Sequence, residues 1–515
     1  MPRGSIQTLL KPDPGGVRED VSPALLPEGS YLASSNWLTR RGRGRPRPGY
    51  DLLTTATDTQ RVLGLGFRGS RQLGNNIAVF TKSHQYHFDG NTLSDISLGS
   101  YTSSSDNELV RSLTFTQGGT DYLLAINRSN ALMEWTGTGL FTATSGSPPA
   151  GKDLFVLGNR LVVIQPNSNM YRVQWSRFKD RTSWTSTDIS DLRDTPGYPV
   201  AGAPFGPNTG AIYKDDCVYL ATVQAAVEPF QFQFIGLVPG PMSAAALVNA
   251  LGIHYWIGED FSIYKFDGAE PKLVSSGLTQ TIATNLNYSD RDQSFGYASI
   301  SQDFREVWFF YPNRSGTFNG ISLNIITEAI NHHTFTADTI TAASDWRMGG
   351  ATIDGLDAFS STIDGLDSVY STIDGMDGNN PVEPTILIGT SAGEVHILNG
   401  TYVDDDGTSF SWSFEDRWVA PGATQSRVQV DAVDTLWRQC SGNITVTTDV
   451  AVTDKLTGTE TGTTATFNAG EDAQHLLTFP NLRGKLVRVK YSGTAVSQNL
   501  EYRGGILTSW PRGRV

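Results

Sequence analysis

The sequence predicts an all-β protein whose main part is a β-propeller of six to eight blades, and three observations support this fold class. Four segments repeat an apolar strand, a tight turn, a second strand and a glycine, and these glycines are Gly90, Gly137, Gly268 and Gly400. They are 47, 131 and 132 residues apart, which matches one, three and three periods of about 44 residues, the length of a four-stranded blade. The composition, with 53 glycines, 24 prolines and 18% charged residues, favours short strands and turns over long amphipathic helices.

Residues 1–54 are predicted to form an extended N-terminal arm. Prolines recur between Pro12 and Pro48 and exclude a long helix, and apolar residues are too few for the arm to fold alone. The arm carries five clustered arginines in an otherwise acidic chain: Arg40, Arg41, Arg43, Arg45 and Arg47. An extended arginine cluster binds phosphates without sequence preference, or it pairs with acidic patches on neighbouring blades or subunits. These side chains are therefore candidates for a DNA-channel lining or for an inter-subunit contact.

Residues 55–415 are predicted to form the propeller. Weaker copies of the strand–turn–strand unit lie at 154–164, 210–220 and 296–311. About 360 residues divided by a period of about 44 give about eight units, and a range of six to eight blades leaves room for insertions.

An insertion at 351–378 carries a second repeat, in which Thr-Ile-Asp-Gly-Leu/Met-Asp starts at Thr352, Thr362 and Thr372. Asp-Gly is typical of hairpin turns, so a loop of stacked turns is the favoured interpretation. The alternative is a calcium site, because Ca²⁺ prefers oxygen ligands, although the spacing is not that of an EF-hand or a nonapeptide calcium repeat. The weak candidates for calcium ligands are Asp354, Asp364 and Asp374.

Residues 416–515 are predicted to form a C-terminal β domain. The pattern changes there to alternating strands rich in threonine and valine, as at 426–432 and 486–491. Such strands, with one apolar face each, are typical of a β-sandwich.

The sequence favours a binding or structural role over an enzyme, and it predicts no cofactor. Its seven histidines show no metalloprotease spacing, and the chain has no nucleophile elbow, P-loop or dinucleotide-binding fingerprint. Cys217 and Cys440 are expected to be buried small apolar residues. The longest apolar stretch, 242–253, is about half the length of a membrane span, so no span is expected. A net charge of −13 opposes binding of the surface as a whole to nucleic acid or anionic membranes.

Several motifs carry a resemblance to a known family. Residues 26–50 open with Leu-Pro-Glu-Gly, continue through an asparagine and the arginine cluster, and close with Arg-Pro-Gly-Tyr. Further motifs follow at 173–184, 230–235, 254–268 and 295–311. In this order they resemble the tail-hub or nozzle proteins of short-tailed bacteriophages, the packaged-DNA stabilisation family.

The resemblance implies a structural virion protein of the phage tail, made in the host cytoplasm. Several copies, six by this analogy, would form a ring below the portal–adaptor complex. The ring would enclose the DNA exit channel, help to retain packaged DNA and anchor tail fibres or spikes. Implied partners are further copies of the chain, the adaptor and portal, fibre or spike proteins, and DNA passing without sequence specificity. An acidic ring suits a conduit, because it limits the grip on phosphates, and we expect the arginine arm to act as a clamp between subunits.

Two alternatives remain, and the first has an enzymatic version, a propeller that cleaves polysaccharides. The first is a receptor- or glycan-binding propeller tail protein, in which Trp175, Trp184, Trp256 and Trp346 stack on sugars. The apolar strand patterns around these tryptophans favour burial instead. The second is a cellular scaffold similar to WD-repeat proteins, which is disfavoured because no predicted blade ends in Trp-Asp.

Overall fold

The computed structural model describes residues 5–10, 16–23, 26–27, 30–40, 43–68, 77–90, 92–224, 228–300, 305–346, 385–399, 404–421, 427–438, 444–454, 461–469, 473–494 and 500–511. Helices in these ranges are short: 3₁₀ helices at Ala244–Ala246 and Tyr288–Gln293, and the α-helix α1 at Thr279–Asn285. None of the helices described has the length and apolar character needed to cross a membrane.

The described strands run in chain order and are numbered accordingly. The N-terminal strands are β1 (Ile6–Leu10), β2 (Tyr31–Ser35), β3 (Trp37–Arg40), β4 (Arg43–Pro46) and β5 (Gly49–Thr55). Blades 1 and 2 consist of β6 (Val62–Phe67), β7 (Ile77–Thr81), β8 (Gln85–Phe88), β9 (Leu93–Asp95), β10 (Arg111–Gln117), β11 (Thr120–Ile126), β12 (Met133–Trp135) and β13 (Thr142–Ala143). Blades 3 and 4 consist of β14 (Asp153–Leu157), β15 (Arg160–Ile164), β16 (Arg172–Trp175), β17 (Ile189–Asp191), β18 (Pro199–Pro204), β19 (Thr209–Lys214), β20 (Cys217–Val223) and β21 (Phe230–Leu237).

The later strands complete the propeller and form a second domain. Blades 5 and 6 consist of β22 (Leu247–Ala250), β23 (Ile253–Ile257), β24 (Ile263–Phe266), β25 (Lys272–Ser275), β26 (Phe295–Ile300), β27 (Arg305–Pro312), β28 (Phe318–Asn324) and β29 (Ile330–Thr334). Blade 7 contains β30 (Ile340–Trp346), β31 (Thr385–Thr390) and β32 (Glu394–Asn399) together with β5. The remaining strands are β33 (Ser411–Asp416), β34 (Val428–Arg438), β35 (Ile444–Thr453), β36 (Thr461–Ala469), β37 (Ala473–Thr478), β38 (Leu482–Gly484), β39 (Leu486–Thr494) and β40 (Glu501–Pro511).

The described strands form a closed seven-bladed propeller, which confirms the predicted fold class and the range of blade numbers. Each blade is an antiparallel sheet of four strands. The first strands of the blades contact one another in cyclic order, from β6 through β10, β14, β18, β22, β26 and β30 back to β6. Blades bury their faces against each other in such a ring, since a single blade cannot cover both of its faces.

The glycine repeat marks the same position in several blades. Gly90, Gly137 and Gly268 each follow the third strand of their blade, with φ angles of 100°, 97° and 96°. This left-handed region favours glycine, which explains why the repeat ends on that residue. From Gly137 to Gly268 the chain passes through three blades, as predicted, but only two blades separate Gly268 from Gly400. Residues 347–384, which lie outside the described residues between β30 and β31, take up the remaining length.

The ring is closed by strands from both parts of the chain. β5 pairs antiparallel with β32, so that Asp51 lies opposite Ile397 and Tyr50 opposite Leu398. The predicted boundary at residue 54 therefore differs from the observed one, because 49–55 is the outermost strand of blade 7. Local sequence patterns cannot predict a pairing between strands that are so far apart in the chain.

The other described strands of the N-terminal segment, β1 to β4, belong to a two-sheet domain rather than to a separate extended arm. One sheet has the order β3-β4-β40-β34-β37, with β1 also paired to β40 and β38 to β34. The other has the order β2-β33-β39-β35-β36. The predicted boundary after residue 415 falls within β33, which pairs with β2 and β39 in this domain. Backbone groups of β1, β2 and β4 thus pair with C-terminal strands of the same chain.

Aromatic side chains fill the space between the two sheets. Trp37 from β3 stacks on Phe414 from β33, with 4.4 Å between ring centroids, and lies edge-on to Trp437 from β34. Tyr491 and Tyr502 complete the contact across the sheets, 5.3 Å apart. All five are buried. Offset and edge-on pairs of this type add to the free energy gained from apolar burial, so Trp37 fixes the N-terminal segment in the domain.

A carboxyl group lies at the edge of this aromatic core. Asp416, at the end of β33, is opposite Tyr31 in the β2–β33 register and is buried. Burial raises the pKa of Asp416 to about 7, although the neighbouring Arg417 opposes the rise. The Asp416 charge also contributes to the raised pKa values of Tyr491 and Tyr502, for which burial is the main cause. The folded domain therefore favours the neutral carboxyl.

This burial makes the stability of the protein depend on pH. In the unfolded chain Asp416 has an ordinary pKa of 3.8, so between about pH 4 and pH 7 the folded protein retains a proton that the unfolded chain has lost. We expect the contribution of Asp416 to the free energy of unfolding to be fully present below about pH 4 and to be lost progressively as the pH rises to 7. The total loss is on the order of 4 kcal/mol. Urea unfolding of the wild type and of Asp416→Asn should show the variant gaining stability relative to the wild type between pH 5 and pH 8. A difference that stays constant over this range would contradict the assignment.

Candidate functional site

The propeller and the two-sheet domain meet at Arg47, which follows β4. Its side chain is buried and forms a two-pronged ion pair with Asp405, with nitrogen–oxygen distances of 2.8 and 2.5 Å. The guanidinium lies between the rings of Phe335 and Phe410, at 4.1 and 3.9 Å from their centroids. Burial raises the pKa of Asp405, and the Arg47 charge limits that rise. We call Arg47 and Asp405, together with Asn36, the closure node.

Every N–H group of the Arg47 guanidinium has an acceptor within the chain. Besides its two bonds to Asp405, it donates to the Oδ1 atom of Asn36 at 3.0 Å and to the carbonyls of Pro48 and Thr334 at 3.0 Å. A buried arginine is stable only with such complete pairing, because removing its charge from water is costly. The fork shape of the guanidinium lets one side chain bind the N-terminal segment, blade 6 and the 404–410 segment at once.

Asn36 joins the N-terminal segment to blade 6 and to the start of β33. It lies between β2 and β3 with a φ angle of 54°, a conformation that asparagine adopts more readily than most residues. Its side-chain amide donates to the hydroxyl of Thr334 at 3.0 Å and to the carbonyl of Ser411 at 2.8 Å, and its Oδ1 atom accepts from the Thr334 amide at 2.9 Å. Its backbone amide donates to the carbonyl of His332 in β29. Blade 6 is therefore the blade on which the two-sheet domain is anchored.

Arg47 pairs with an acidic group of its own chain, which is the kind of contact expected in the alternative of pairing with acidic patches on neighbouring blades. Its side chain has no access to solvent, which disfavours a channel-lining or inter-subunit role for this arginine. Arg45 is half-buried in β4. Arg40 and Arg43 have their backbones in β3 and β4, but their side chains lie outside the described residues, as does all of Arg41. The role proposed for these four arginines stays a prediction.

The seven-stranded sheet of the second domain carries apolar side chains on its solvent face. Ile506 in β40 lies opposite Leu9 in β1 on one side and opposite Asp434 in β34 on the other. Asp434 in turn lies opposite Leu477 in β37. Residues directly opposite in a sheet share one face, and the exposed fractions of Leu9, Ile506 and Leu477 are 58%, 38% and 48%. We call these three residues the apolar row.

The axis of the propeller holds a narrow cavity. A volume of about 270 Å³ is lined by the first strands of five blades, among them residues 63–65, 295–298 and 341–344. A second volume of about 250 Å³ shares Leu109, Arg111 and Ala245 with it and opens toward Lys152. Three cations line these volumes. Arg111 pairs with Asp153 at 2.8 Å and Lys152 with Asp292 at 3.3 Å, while Arg128 donates to the side-chain oxygen of Gln165. Each volume is smaller than a typical site for a drug-sized ligand, about 300–1,000 Å³, and two of the three cations have a carboxylate partner.

Three of the described residues are placed so that they could hold a metal ion: Asp338, Glu394 and His396. The sequence did not predict a metal site at these residues. The Glu-Val-His alternation in β32 could have indicated one, because it places a carboxylate and an imidazole on one face of a strand. The calcium candidates Asp354, Asp364 and Asp374, by contrast, lie outside the described residues.

The tryptophans considered for sugar stacking are mostly packed into the propeller. Trp175 and Trp256 are buried, and the indole N–H of Trp256 donates to the carbonyl of Pro239. Trp184 is half-buried and donates to the carbonyl of Arg181. The side chain of Trp346 lies outside the described residues. Cys217 is buried as expected, whereas Cys440 is not among the described residues.

Comparisons with known proteins give no family assignment. No protein-family model matches the chain, and no curated protein matches it in sequence. Among solved structures, BamB from Moraxella catarrhalis is similar over 67% of this chain and 97% of its own, with 10% identity and a TM-score of 0.33. YCF48 from Cyanidioschyzon merolae is similar over 68% of this chain and 99% of its own, with 9% identity and a TM-score of 0.38. At these scores the alignments carry no argument about function.

Removing one charge from the closure node is expected to lower the free energy of unfolding strongly. Arg47→Met leaves Asp405 buried without a counter-charge, and we expect the free energy of unfolding to fall by about 3–5 kcal/mol. The control is Arg193→Met, whose arginine is 62% exposed and pairs with Asp191 at 3.5 Å. An exposed pair of this kind contributes about 0–1 kcal/mol, so the control should remain close to the wild type in urea unfolding. Equal losses in the two variants would show that the node has no special role.

Proposed function

We propose that this chain is a structural subunit of a short bacteriophage tail, without catalytic activity. Several copies, six by analogy with the family it resembles, form a ring below the portal–adaptor complex. The ring encloses the DNA exit channel, helps to retain packaged DNA and anchors fibres or spikes. The order of the sequence motifs from residue 26 to 311 supports this proposal, and the surface of the second domain supports the assembly step.

The apolar row is the observation on which the assembly step rests. Leu9, Ile506 and Leu477 come from three different strands, and two of these strands lie near opposite ends of the chain. Phe479 follows Leu477 closely in sequence and Trp510 follows Ile506, and both aromatic side chains are exposed. Their exposed fractions are 66% and 41%. Asp434 lies between Ile506 and Leu477, so one carboxylate interrupts the row. Exposed apolar side chains grouped on the outer face of a sheet are typical of a surface that another protein covers. A second copy of this chain is the proposed occupant, since a ring of identical subunits repeats one contact between neighbours.

The propeller itself supports the role of a rigid spacer rather than of a conduit. Its axial cavity of about 270 Å³ is far too small for a DNA duplex. In this proposal the DNA channel therefore lies between subunits, around the axis of the ring. The net charge of −13 per chain fits that arrangement, because an acidic wall repels phosphates and lets DNA slide.

Assembly of the purified full-length chain tests this proposal. The wild type is expected to form ring particles with six-fold symmetry in electron cryomicroscopy, and mass photometry should show the corresponding oligomer as concentration rises. The variant Leu477→Glu/Ile506→Glu places two charges in the apolar row and should stay monomeric, because a buried unpaired charge opposes association.

The matched control is Leu140→Glu, which changes an exposed leucine in the connection between β12 and β13 of blade 2. It should assemble like the wild type. A wild-type chain that remains monomeric at every concentration, or a double variant that assembles as well as the control, would overturn the proposal.

A further inference from the structure

A carboxylate–histidine cluster lies on blade 7 and shares no residue with the closure node or the apolar row. Its members are Asp338, Glu394 and His396, and one ligand atom from each lies within 4.8 Å of the others. No step of the proposed assembly uses these side chains. Their arrangement has to be explained by another property of the protein.

The fold brings the three residues together from two separate segments. Glu394 and His396 are two positions apart in β32, so both side chains lie on one face of blade 7. Asp338 lies in the connection from β29 of blade 6 to β30 of blade 7. The hydroxyl of Tyr50 in β5 donates to the Oδ2 atom of Asp338 at 3.0 Å, and the Tyr50 ring lies edge-on to the His396 ring at 5.1 Å. Tyr50 thus orients two of the three members.

His396 is the member that ordinary protein contacts leave unsatisfied. Its side chain is fully buried, and neither ring nitrogen has a hydrogen-bond partner among the described residues. Oε2 of Glu394 lies 3.5 Å from Nε2, within ion-pair distance but without a hydrogen bond. A buried polar group without a hydrogen-bond partner is unfavourable, so an imidazole in this position is expected to have a ligand.

The donor set indicates what that ligand is. An imidazole is a ligand that Zn²⁺ and related divalent transition metals accept together with carboxylate oxygens, whereas Mg²⁺ and Ca²⁺ take oxygen ligands alone. Two carboxylate charges also balance a divalent cation. Donors on one Zn²⁺ ion lie up to roughly 4 Å apart, so small rotations of the half-exposed Asp338 and Glu394 side chains suffice to close the site. Their exposure leaves a path for the ion and a position for water.

We propose that Asp338, Glu394 and His396 bind one divalent transition-metal ion, with Zn²⁺ as the preferred ion and water completing its coordination. The ion links the connection between blades 6 and 7, through Asp338, to Glu394 and His396 of β32. This strand pairs with β5, so the metal stabilises the blade that closes the ring. The site is independent of the proposed tail function, and it would be present in any role of the chain.

Zinc binding to the purified full-length protein tests the site. After removal of metals with a chelator, we expect titration calorimetry to show one Zn²⁺ ion bound per chain, and the thermal unfolding midpoint to rise with Zn²⁺ concentration but not with Mg²⁺. Glu394→Gln, Asp338→Asn and His396→Gln should each weaken Zn²⁺ binding about tenfold or more. Glu259→Gln is the matched control, since the exposed fraction of its side chain is 30% against 29% for Glu394, and it should bind Zn²⁺ like the wild type.

Cobalt substitution separates metal ligation from a structural effect of the variants. Co²⁺ bound through a histidine and two carboxylates gives visible absorption bands that report directly on its ligands. We expect these bands in the wild type and in Glu259→Gln, and their loss in Asp338→Asn, whose asparagine can still accept the Tyr50 hydroxyl bond and keep the fold. Absence of Zn²⁺ binding by the wild type, or unchanged affinity and spectra in Asp338→Asn and Glu394→Gln, would overturn the proposal.

Discussion

The buried ion pair between Arg47 and Asp405 is the interaction on which the remaining architecture depends. It joins residues 358 positions apart in the sequence, at the point where the N-terminal segment, blade 6 and the 404–410 segment meet. On one side of Arg47, β3 and β4 belong to the two-sheet domain; on the other, β5 closes blade 7. An isolated buried charge is strongly unfavourable, so this pair permits few alternative arrangements of the segments around it. The closure node therefore links the completion of the ring to the completion of the second domain.

This linkage explains the position of the other unusual groups. Tyr50, three residues after Arg47, contacts both Asp338 and the ring of His396, so the cluster on blade 7 is built on the same closing strand. Asn36, eleven residues before Arg47, fixes the domain to β29 of blade 6 through the Thr334 amide. Each of these groups relies on strands that are distant in sequence. Long-range closure of this kind costs chain entropy, which many local blade contacts and the aromatic core around Trp37 offset.

The sequence predicted those features that arise from local patterns. The glycines at 90, 137 and 268 identified the third strand of their blades, because a positive φ angle at a fixed turn favours glycine whatever the distant surroundings. The count from Gly268 to Gly400 was too high, since a period in sequence cannot distinguish a blade from an insertion such as 347–384. Pairing of β2 with β33 and burial of Arg47 could not be predicted, because they depend on Asp405 and other residues hundreds of positions away. The Glu394–His396 alternation was visible in the sequence, but the third member of the metal-binding cluster, Asp338, comes from another segment.

The central claim is that the N-terminal segment is an integral part of both domains. Hydrogen–deuterium exchange of the full-length protein, followed by mass spectrometry of peptides, measures this most directly, because exchange reports the free energy of local opening. Peptides covering residues 31–40 and 43–55 are expected to be as strongly protected as those of the central strands of the blades and of β34. Exchange of these N-terminal peptides at the rate of an unfolded chain, while the blades remain protected, would contradict the account.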